Sequence, residues 1–314
     1  GNIANTNTNG QTYIYMAFAG GSDAVSAYNT AGDIDSRVKA NSTYGQSMVM
    51  WNGNGSGSSQ TIGHGLSSAP EFIIRKRLDD TNYWYVWHTG LSSIAHEIYL
   101  NESDNETAGG FFQYGSPTST VFTAYDGGST SHRNITYCFH SVSGYSKFGS
   151  YTGTGSTGNA VTGLGFKPAF LLIKNRTSDL AWRVSDAVRE ANNPRTSMLF
   201  PNESTADTPD AAYSHTYDSD GFTINNTHAG FNTSGDVYIY AAFADKREYS
   251  YWLDQSGNNN DFTSVNLTES DISVDSPSNN FCTWNPLTKG AYALAWSEGN
   301  LKANSSADWS GTLG

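Results

Sequence analysis

Apolar and polar positions along this chain fall into short bursts separated by turn-forming residues, and the bursts come twice in the same order. The first set opens at Trp51-Asn52-Gly53-Asn54-Gly55-Ser56. It passes through Gly65-Leu66-Ser67-Ser68-Ala69-Pro70 into Glu71-Phe72-Ile73-Ile74, closed by Arg75-Lys76-Arg77. The second opens at Tyr151-Thr152-Gly153-Thr154-Gly155-Ser156 and passes through Gly163-Leu164-Gly165-Phe166-Lys167-Pro168 into Ala169-Phe170-Leu171-Leu172-Ile173, closed by Lys174-Asn175-Arg176. Short apolar runs bounded by Gly, Pro and Asn read as strands. Trp51 and Tyr151 lie 100 positions apart. That period is too long for a solenoid repeat and suits a small domain, so the pattern predicts a tandem duplication.

Repeat 1 is expected over 47–146 and repeat 2 over 147–246. Within repeat 1 the pattern predicts strands at Glu71–Lys76, Tyr83–His88, Phe111–Tyr114, Val121–Tyr125 and Tyr137–Phe139, with Asp79-Asp80-Thr81-Asn82 as a turn. Repeat 2 follows with Phe170–Lys174, Ala181–Val184, Ser197–Phe200, Gly221–Asn225 and Val237–Ala244, and Asp186–Ala191 reads as a short helical turn. Residues 21–46, rich in Gly, Ser and Asn with scattered charge, read as a linker. Residues 247–314 read as an extended connector and tail, since Pro277 and Pro286 bias their neighbours away from helix.

The segment Gly10-Gln11-Thr12-Tyr13-Ile14-Tyr15-Met16-Ala17-Phe18-Ala19 is a near-twin of Gly235–Ala244, the closing strand of repeat 2. Residues 1–20 therefore carry the last strand of a repeat whose earlier part is absent. A lone strand exposes unpaired backbone unless another sheet accepts it. Either a preceding repeat is missing, or Tyr13, Ile14, Tyr15, Met16 and Phe18 complete a sheet in a neighbouring subunit by strand addition. Gly1 in place of Met marks a processed product or a segment of something longer.

Composition sharpens the fold class. Aromatics make up 13% of the chain and charged residues 15%, and long Ala/Leu/Glu/Lys runs are missing, so an all-β chain is expected. The architecture expected is tandem β-sandwiches of jelly-roll or concanavalin-like type. A net charge of −12 argues against nucleic acid and anionic membranes as partners. No apolar run approaches the ~18 residues of a membrane span, and no secretory leader is visible. Cys138 sits in an apolar strand and reads as a small buried hydrophobe; Cys282 lies far from it, and no Cys-x-x-Cys occurs.

Taken together, the Gly/Ala-Pro turns, the Tyr137-Cys138-Phe139 strand and Gly144-Tyr145-Ser146-Lys147-Phe148-Gly149-Ser150-Tyr151-Thr152-Gly153 resemble a repeat of large tail-fibre-like proteins of aquatic bacteriophages. Trp252 with Asp254-Gln255-Ser256-Gly257-Asn258-Asn259-Asn260-Asp261-Phe262, then Ser276-Pro277 and Asn285-Pro286-Leu287, looks like the connector that follows such repeats, and is similar to a laminin-G-like opening motif. The resemblance implies a structural or adhesive role at a virion surface or outside the cell.

Candidate chemistry is sparse. Nucleophile-elbow, phosphate-loop and dinucleotide motifs are missing from the sequence, and His96-Glu97 lacks a second histidine at zinc spacing, so no enzyme is expected. Asp254, Asn258, Asn260 and Asp261 offer oxygen ligands for calcium within one loop, or simply a self-capped turn; no other cofactor is indicated. Trp51, Trp84, Trp87 and Tyr151 are candidates for stacking on sugars. Trp84 and Trp87 lie three apart on one strand and must face opposite ways. Asn-x-Ser/Thr acceptors occur at Asn41, Asn54, Asn101, Asn105, Asn134, Asn175, Asn202, Asn225, Asn232, Asn266 and Asn304. The expected function is a subunit of a fibre-like filament that assembles with copies of itself by strand complementation and domain stacking; the alternative is a module that recognises cell-surface glycans.

Overall fold

A computed structural model describes Ala17, residues 26–110, 115–126, 131–207 and 209–245, and the backbone of 294–297 and 302–305. The chain is all-β. Among the described residues, regular helix is limited to a 3-10 turn at Ala211–Tyr213 and one α-turn at Ala229–Asn232. The N-terminal part carries β1 (Ala27–Asn29), β2 (Ser36–Asn41), β3 (Gln46–Asn52), β4 (Gln60–Gly63), β5 (Phe72–Arg77), β6 (Tyr85–His88), β7 (His96–Tyr99), β8 (Thr107–Ala108), β9 (Val121–Ala124) and β10 (Arg133–Phe139). Then follow β11 (Ser146–Thr152), β12 (Asn159–Thr162), β13 (Pro168–Asn175), β14 (Arg183–Asp186), β15 (His215–Asp218), β16 (Gly221–Ile224) and β17 (Val237–Ala244). A separate C-terminal unit from Asp245 holds a hairpin of β18 (Leu294–Ser297) and β19 (Lys302–Ser305).

The duplication read from the sequence is a duplication of topology. Repeat 1 contains the neighbours β3-β10-β5-β6 within an eight-stranded sheet ordered β1-β2-β3-β10-β5-β6-β7-β8, faced by β4-β9. Repeat 2 contains β11-β17-β13-β14 in the same order, faced by β12-β16-β15. Each repeat is thus a sandwich of two antiparallel sheets. The aromatic-Gly-x-Gly motif closes each sandwich in the same way. Gly53 lies against the Asp126 carboxylate and Gly153 against the Thr233 carbonyl, where any Cβ would collide. The second glycine, Gly55 or Gly155, turns the chain with φ of 66° or 69°, a conformation side chains disfavour.

Two expectations need correction. The stretch 21–46 is not a linker: it supplies β1 and β2, and β2 pairs along β3 from Ser36↔Trp51 to Asn41↔Gln46. Ile34, Ser36 and Val38 point inward at every second position while Arg37 faces out, so one buried face suffices and apolar density stays low. Asp186–Ala191 forms no helix, because the Asp186 carboxylate caps Val188 N–H and Arg189 N–H as a self-bonded turn. The expected strand at 111–114 lies outside the described residues.

Three cores hold this unit together. One fills sandwich 1 (Val49, Trp51, Ile62, Ile73, Trp87, Phe122, Cys138) and one fills sandwich 2 (Tyr151, Leu171, Ile173, Phe222, Phe231, Tyr238, Tyr240). The third lies between the two large sheets, where Phe72, Val86, Ile98 and Phe139 meet Phe148, Leu172, Trp182, Ile239 and Ala241. The two sandwiches are therefore packed back to back, and their central strands are buried on both faces. That is why Phe72-Ile73-Ile74 and Phe170-Leu171-Leu172-Ile173 read as unbroken apolar runs rather than as alternation. Polar contacts seal the joint. Trp182 Nε1 donates to the Tyr99 carbonyl at 2.8 Å, Lys174 Nζ to the Ser103 carbonyl at 2.9 Å, and Asn105 N–H to Asp179 at 2.8 Å. Arg176 forms an ion pair with Glu106.

Trp182, 1% exposed, is the largest side chain in the joint. Trp182→Ala should destabilise the chain by about 3–5 kcal/mol. Hydrogen exchange should then accelerate in β5 and β6 of repeat 1 together with β13 and β14; acceleration confined to repeat 2 would show that the repeats fold independently.

Candidate functional site

Repeat 1 opens a cleft of about 340 Å³ where the loop after β6 meets the segment before β9. Pro70, Leu91, Ile94 and Pro117 give it apolar walls, Glu71, Ser93 and Ser116 give it oxygen atoms, and Trp87 lines it from the core side. All four residues of β6 are buried, which carries the Trp87 indole inward. Beyond it the chain turns tightly: Gly90 N–H donates to His88 Nδ1 at 2.9 Å and Leu91 N–H to the His88 carbonyl at 3.0 Å. Gly90 itself sits against Ile239 and Ser150 of repeat 2, so the joint fixes one end of this loop.

The polar groups of the cleft differ in how far they are already engaged. His88 is saturated, with Nε2 bonded to the Tyr240 carbonyl at 3.0 Å and Nδ1 to Gly90. Burial pushes its pKa down to about 4, so the ring is neutral. One Glu71 oxygen accepts from Ser141 N–H. Trp87 Nε1, by contrast, is shielded from solvent and has no hydrogen-bond partner. Buried polar groups are bonded in the great majority of cases; this donor is one of several exceptions among the described residues, with Ser59 Oγ and Arg195 Nε.

The corresponding place in repeat 2 is built differently. Ser185 stands at the position of Trp87, and its hydroxyl bonds Tyr217 Oη at 2.6 Å and His215 Nε2 at 2.9 Å. The Arg195 guanidinium lies 4.0 Å over the Tyr217 ring and is tied to Asn193. Glu190 accepts from Thr196 N–H and Ser197 N–H, each at 2.7 Å, and bonding to these groups holds its pKa down against the opposing effect of burial. Arg195 Nε of this copy, like Trp87 Nε1, is shielded from solvent without a hydrogen-bond partner.

Of the aromatic residues expected to meet sugars, Trp51, Trp87 and Tyr151 belong to the cores, and two of them are wholly committed there. Trp51 is 2% exposed, with Arg75 4.7 Å over its ring and its Nε1 bonded to Thr136 at 3.0 Å. Arg75 is buried beneath it and bonds Asn134 at 3.0 Å, the Tyr125 carbonyl at 2.7 Å and Asp126 at 3.5 Å. Tyr151, 9% exposed, stacks on Tyr238 at 5.0 Å and donates to the Phe231 carbonyl. Both stand at an inward position of the first large-sheet strand of their repeat, which rules them out as surface contacts. Trp87 is 7% exposed and reaches only the cleft, whereas Trp84, just before β6, is 37% exposed, as is its neighbour Tyr83 at 42%. The loop residues Leu91, Ser93, Ile94, Ser116 and Pro117 were not singled out by the sequence, since nothing in their own types marks them.

Among the acceptor asparagines, Asn134, Asn175 and Asn232 are buried with their carboxamides hydrogen-bonded, and so do not act as glycosylation sites in the folded chain. Asn101 and Asn202 have a shared structural task, accepting from the N–H of Trp84 and of Trp182 at 2.8 and 2.9 Å. Asn54 is exposed, while Asn41, Asn105 and Asn225 are half-buried. Asn304 lies on β19, paired with Ala295. Asn266, the assembly residues Tyr13, Ile14, Tyr15, Met16 and Phe18, the calcium candidates Asp254, Asn258, Asn260 and Asp261, and Cys282 lie outside the described residues. Cys138 is buried in sandwich 1, and burial drives its thiol pKa up. No cluster of three or more His, Cys, Asp or Glu suited to a metal occurs among the described residues.

Residues 1–247, which include both sandwiches and the cleft, match the family model described as Domain of unknown function (DUF7483). The chain belongs to this family. No curated protein and no solved structure matches it. The DUF7483 match takes in the two repeats as one stretch, in keeping with their shared core.

Two outcomes follow from burial. His88 and His215 both have pKa values lowered to about 4 by desolvation, against about 6.5 in the unfolded chain. Between these values the unfolded chain binds protons that the folded chain refuses. Stability should therefore be full above pH 6.5 and fall as the pH drops toward 4, by on the order of 3 kcal/mol per histidine. Denaturant unfolding at pH 7 and pH 4.5 measures this, and His88→Gln should flatten part of the slope. In a glycosylating host, peptide mapping should find Asn134, Asn175 and Asn232 unmodified.

Proposed function

We propose that this chain is a non-catalytic structural subunit of an extracellular or virion fibre, with the fused pair of sandwiches as its stiff segment. The observation that supports this reading is the third core. Two duplicated units joined by a flexible connector would swing independently, whereas units sharing buried aromatic and aliphatic side chains move as one body. Equivalent faces of the two large sheets meet in that joint, so it closes on itself, and growth of an assembly must run through other surfaces. In this proposal, strand complementation by Tyr13, Ile14, Tyr15, Met16 and Phe18 supplies that contact between copies. The resemblance to phage fibre repeats points the same way.

A second reading, glycan recognition, is favoured by one observation: the cleft beside Trp87, an apolar and hydroxyl-lined space of a size suited to a small ligand. The two roles are compatible in one fibre.

Electron microscopy of the purified chain, with and without residues 1–20, tests the first reading. Regular filaments that vanish on deletion are the expected result. Single particles in both samples would remove strand complementation as the means of assembly.

A further inference from the structure

We propose that the outer edge of β11 in repeat 2 is the acceptor for the segment Gly10–Ala19 of a second copy of this chain. This names the docking place for the strand complementation proposed above and rests on that reading.

The duplication shows which edge is short of a strand. In repeat 1 the segment from β1 to β2 closes one flank of the sandwich. β2 pairs the outer edge of β3, and the same segment is tied to β4, where Asp33 N–H donates to the Thr61 carbonyl at 2.9 Å and the Ser36 hydroxyl to the Gly63 carbonyl at 2.8 Å. Ile34 and Val38 thereby join Ile62 and Leu66 in one core. Repeat 2 has β11 and β12 in the places of β3 and β4. Only residues 140–145 separate β11 from β10, too few to form such a segment again, and β11 is left as the outermost strand of its sheet.

This flank is bare in side chains and in backbone. Gly65 of repeat 1 lies under Val38, 2.6 Å from where a Cβ would stand, whereas nothing lies within 4 Å of that position at Gly163 or Gly165 in the matching turn. Ala160 and Val161 stand at the places of Thr61 and Ile62. Ala160 is exposed, and Val161 is 8% exposed where Ile62 is 0%. Along β11 the Tyr145 carbonyl accepts from Ala244 N–H and Gly153 N–H donates to the Asp236 carbonyl, so odd-numbered residues bond β17 and even-numbered ones face outward. Ser146 is paired with Val142, Phe148 N–H donates to the Ser141 hydroxyl, and the Thr152 carbonyl accepts from Asn159. The Phe148 carbonyl, Ser150 N–H and carbonyl, and Thr152 N–H face outward without a partner among the described residues. Other outer strands offer less: β1 has three residues and β8 two, β14 is bridged to Leu199 and β15 to Arg195.

Repeat 1 also shows what kind of occupant fits. It is an antiparallel strand, apolar at alternate positions, supplied from the N-terminal side of the sandwich. Gly10–Ala19 has that pattern and no charged residue, with Tyr13, Tyr15 and Ala17 in one alternating set and Ile14, Met16 and Phe18 in the other. A strand apolar in both sets has no face suited to water, which favours its pairing with a sheet. Donor segment and acceptor edge are different surfaces, so each added copy brings a fresh edge and the contact propagates as an open chain.

The test pairs two defective chains. Ser150→Pro removes the outward N–H at a position where an outer strand tolerates proline, so its melting temperature should be unchanged while filaments are lost. The chain without residues 1–20 keeps the edge and lacks the donor. Each should give single particles alone, and mixing them should give one-to-one dimers by light scattering. Hydrogen exchange needs no substitution: the Ser150 and Thr152 amides should be slowed in wild-type filaments and fast in the chain without residues 1–20, and this result decides if Ser150→Pro melts early. Filaments that survive Ser150→Pro, vanish without residues 1–20 and leave Ser150 exchanging fast overturn β11 as the acceptor while strand complementation stands. Filaments from the chain without residues 1–20, or none from wild type, remove both.

Discussion

Everything else in this protein depends on the central strands of two large sheets being buried on both faces. A sheet with one wet face can tolerate polar residues at every second position. A sheet covered twice must be apolar throughout or must pair every polar group it carries. The central strands show both solutions. Ile73 and Leu171 feed the sandwich interiors while Phe72 and Leu172 feed the joint. Arg75 and Lys174, by contrast, are charged groups accepted in the interior because fixed oxygens surround them. Burial lowers the pKa of Arg75 to about 9 and of Lys174 to about 8, which measures how strongly the surroundings oppose charge.

Much of this was legible in the sequence. Duplication was visible because both copies keep the same demanding positions: an inward aromatic, a glycine under close contact and a glycine with positive φ. Equivalent lysines survive for a comparable reason. Lys76 holds the carbonyls of Asp80 and Asn82, and Lys174 holds that of Leu180, each across the turn that follows its strand. What could not be read was how the copies relate. The apolar runs were long enough to signal double burial, but a run of four apolar residues does not say whether the second cover is a helix, a partner or the other repeat. The strands of 21–46 escaped because a strand with one buried face needs only a few inward residues, and in β2 Ser36 is one of them.

The candidate site shows the same division. Alternation from Trp84 to Trp87 assumed one strand across both, whereas β6 begins only at Tyr85. It did not say that Trp51 and Tyr151 sit at inward positions, because that depends on which face the second sheet covers. The cleft itself is assembled from two loops far apart in sequence, and only the folded chain brings Leu91 and Ile94 to face Pro117. Divergence between the copies at Trp87 and Ser185 was present in the sequence all along, but only the paired strands show that the two residues occupy equivalent positions.

The back-to-back joint also sets an arithmetic for how such chains can lengthen. Each repeat has one large-sheet face to give, and pairing consumes it on both partners at once. Insertion of a single further repeat would leave a hydrophobic sheet uncovered, with its Phe, Leu and Trp side chains facing water. Duplication in steps of two leaves none. For repeats built like these two, that one face ties lengthening to pairs.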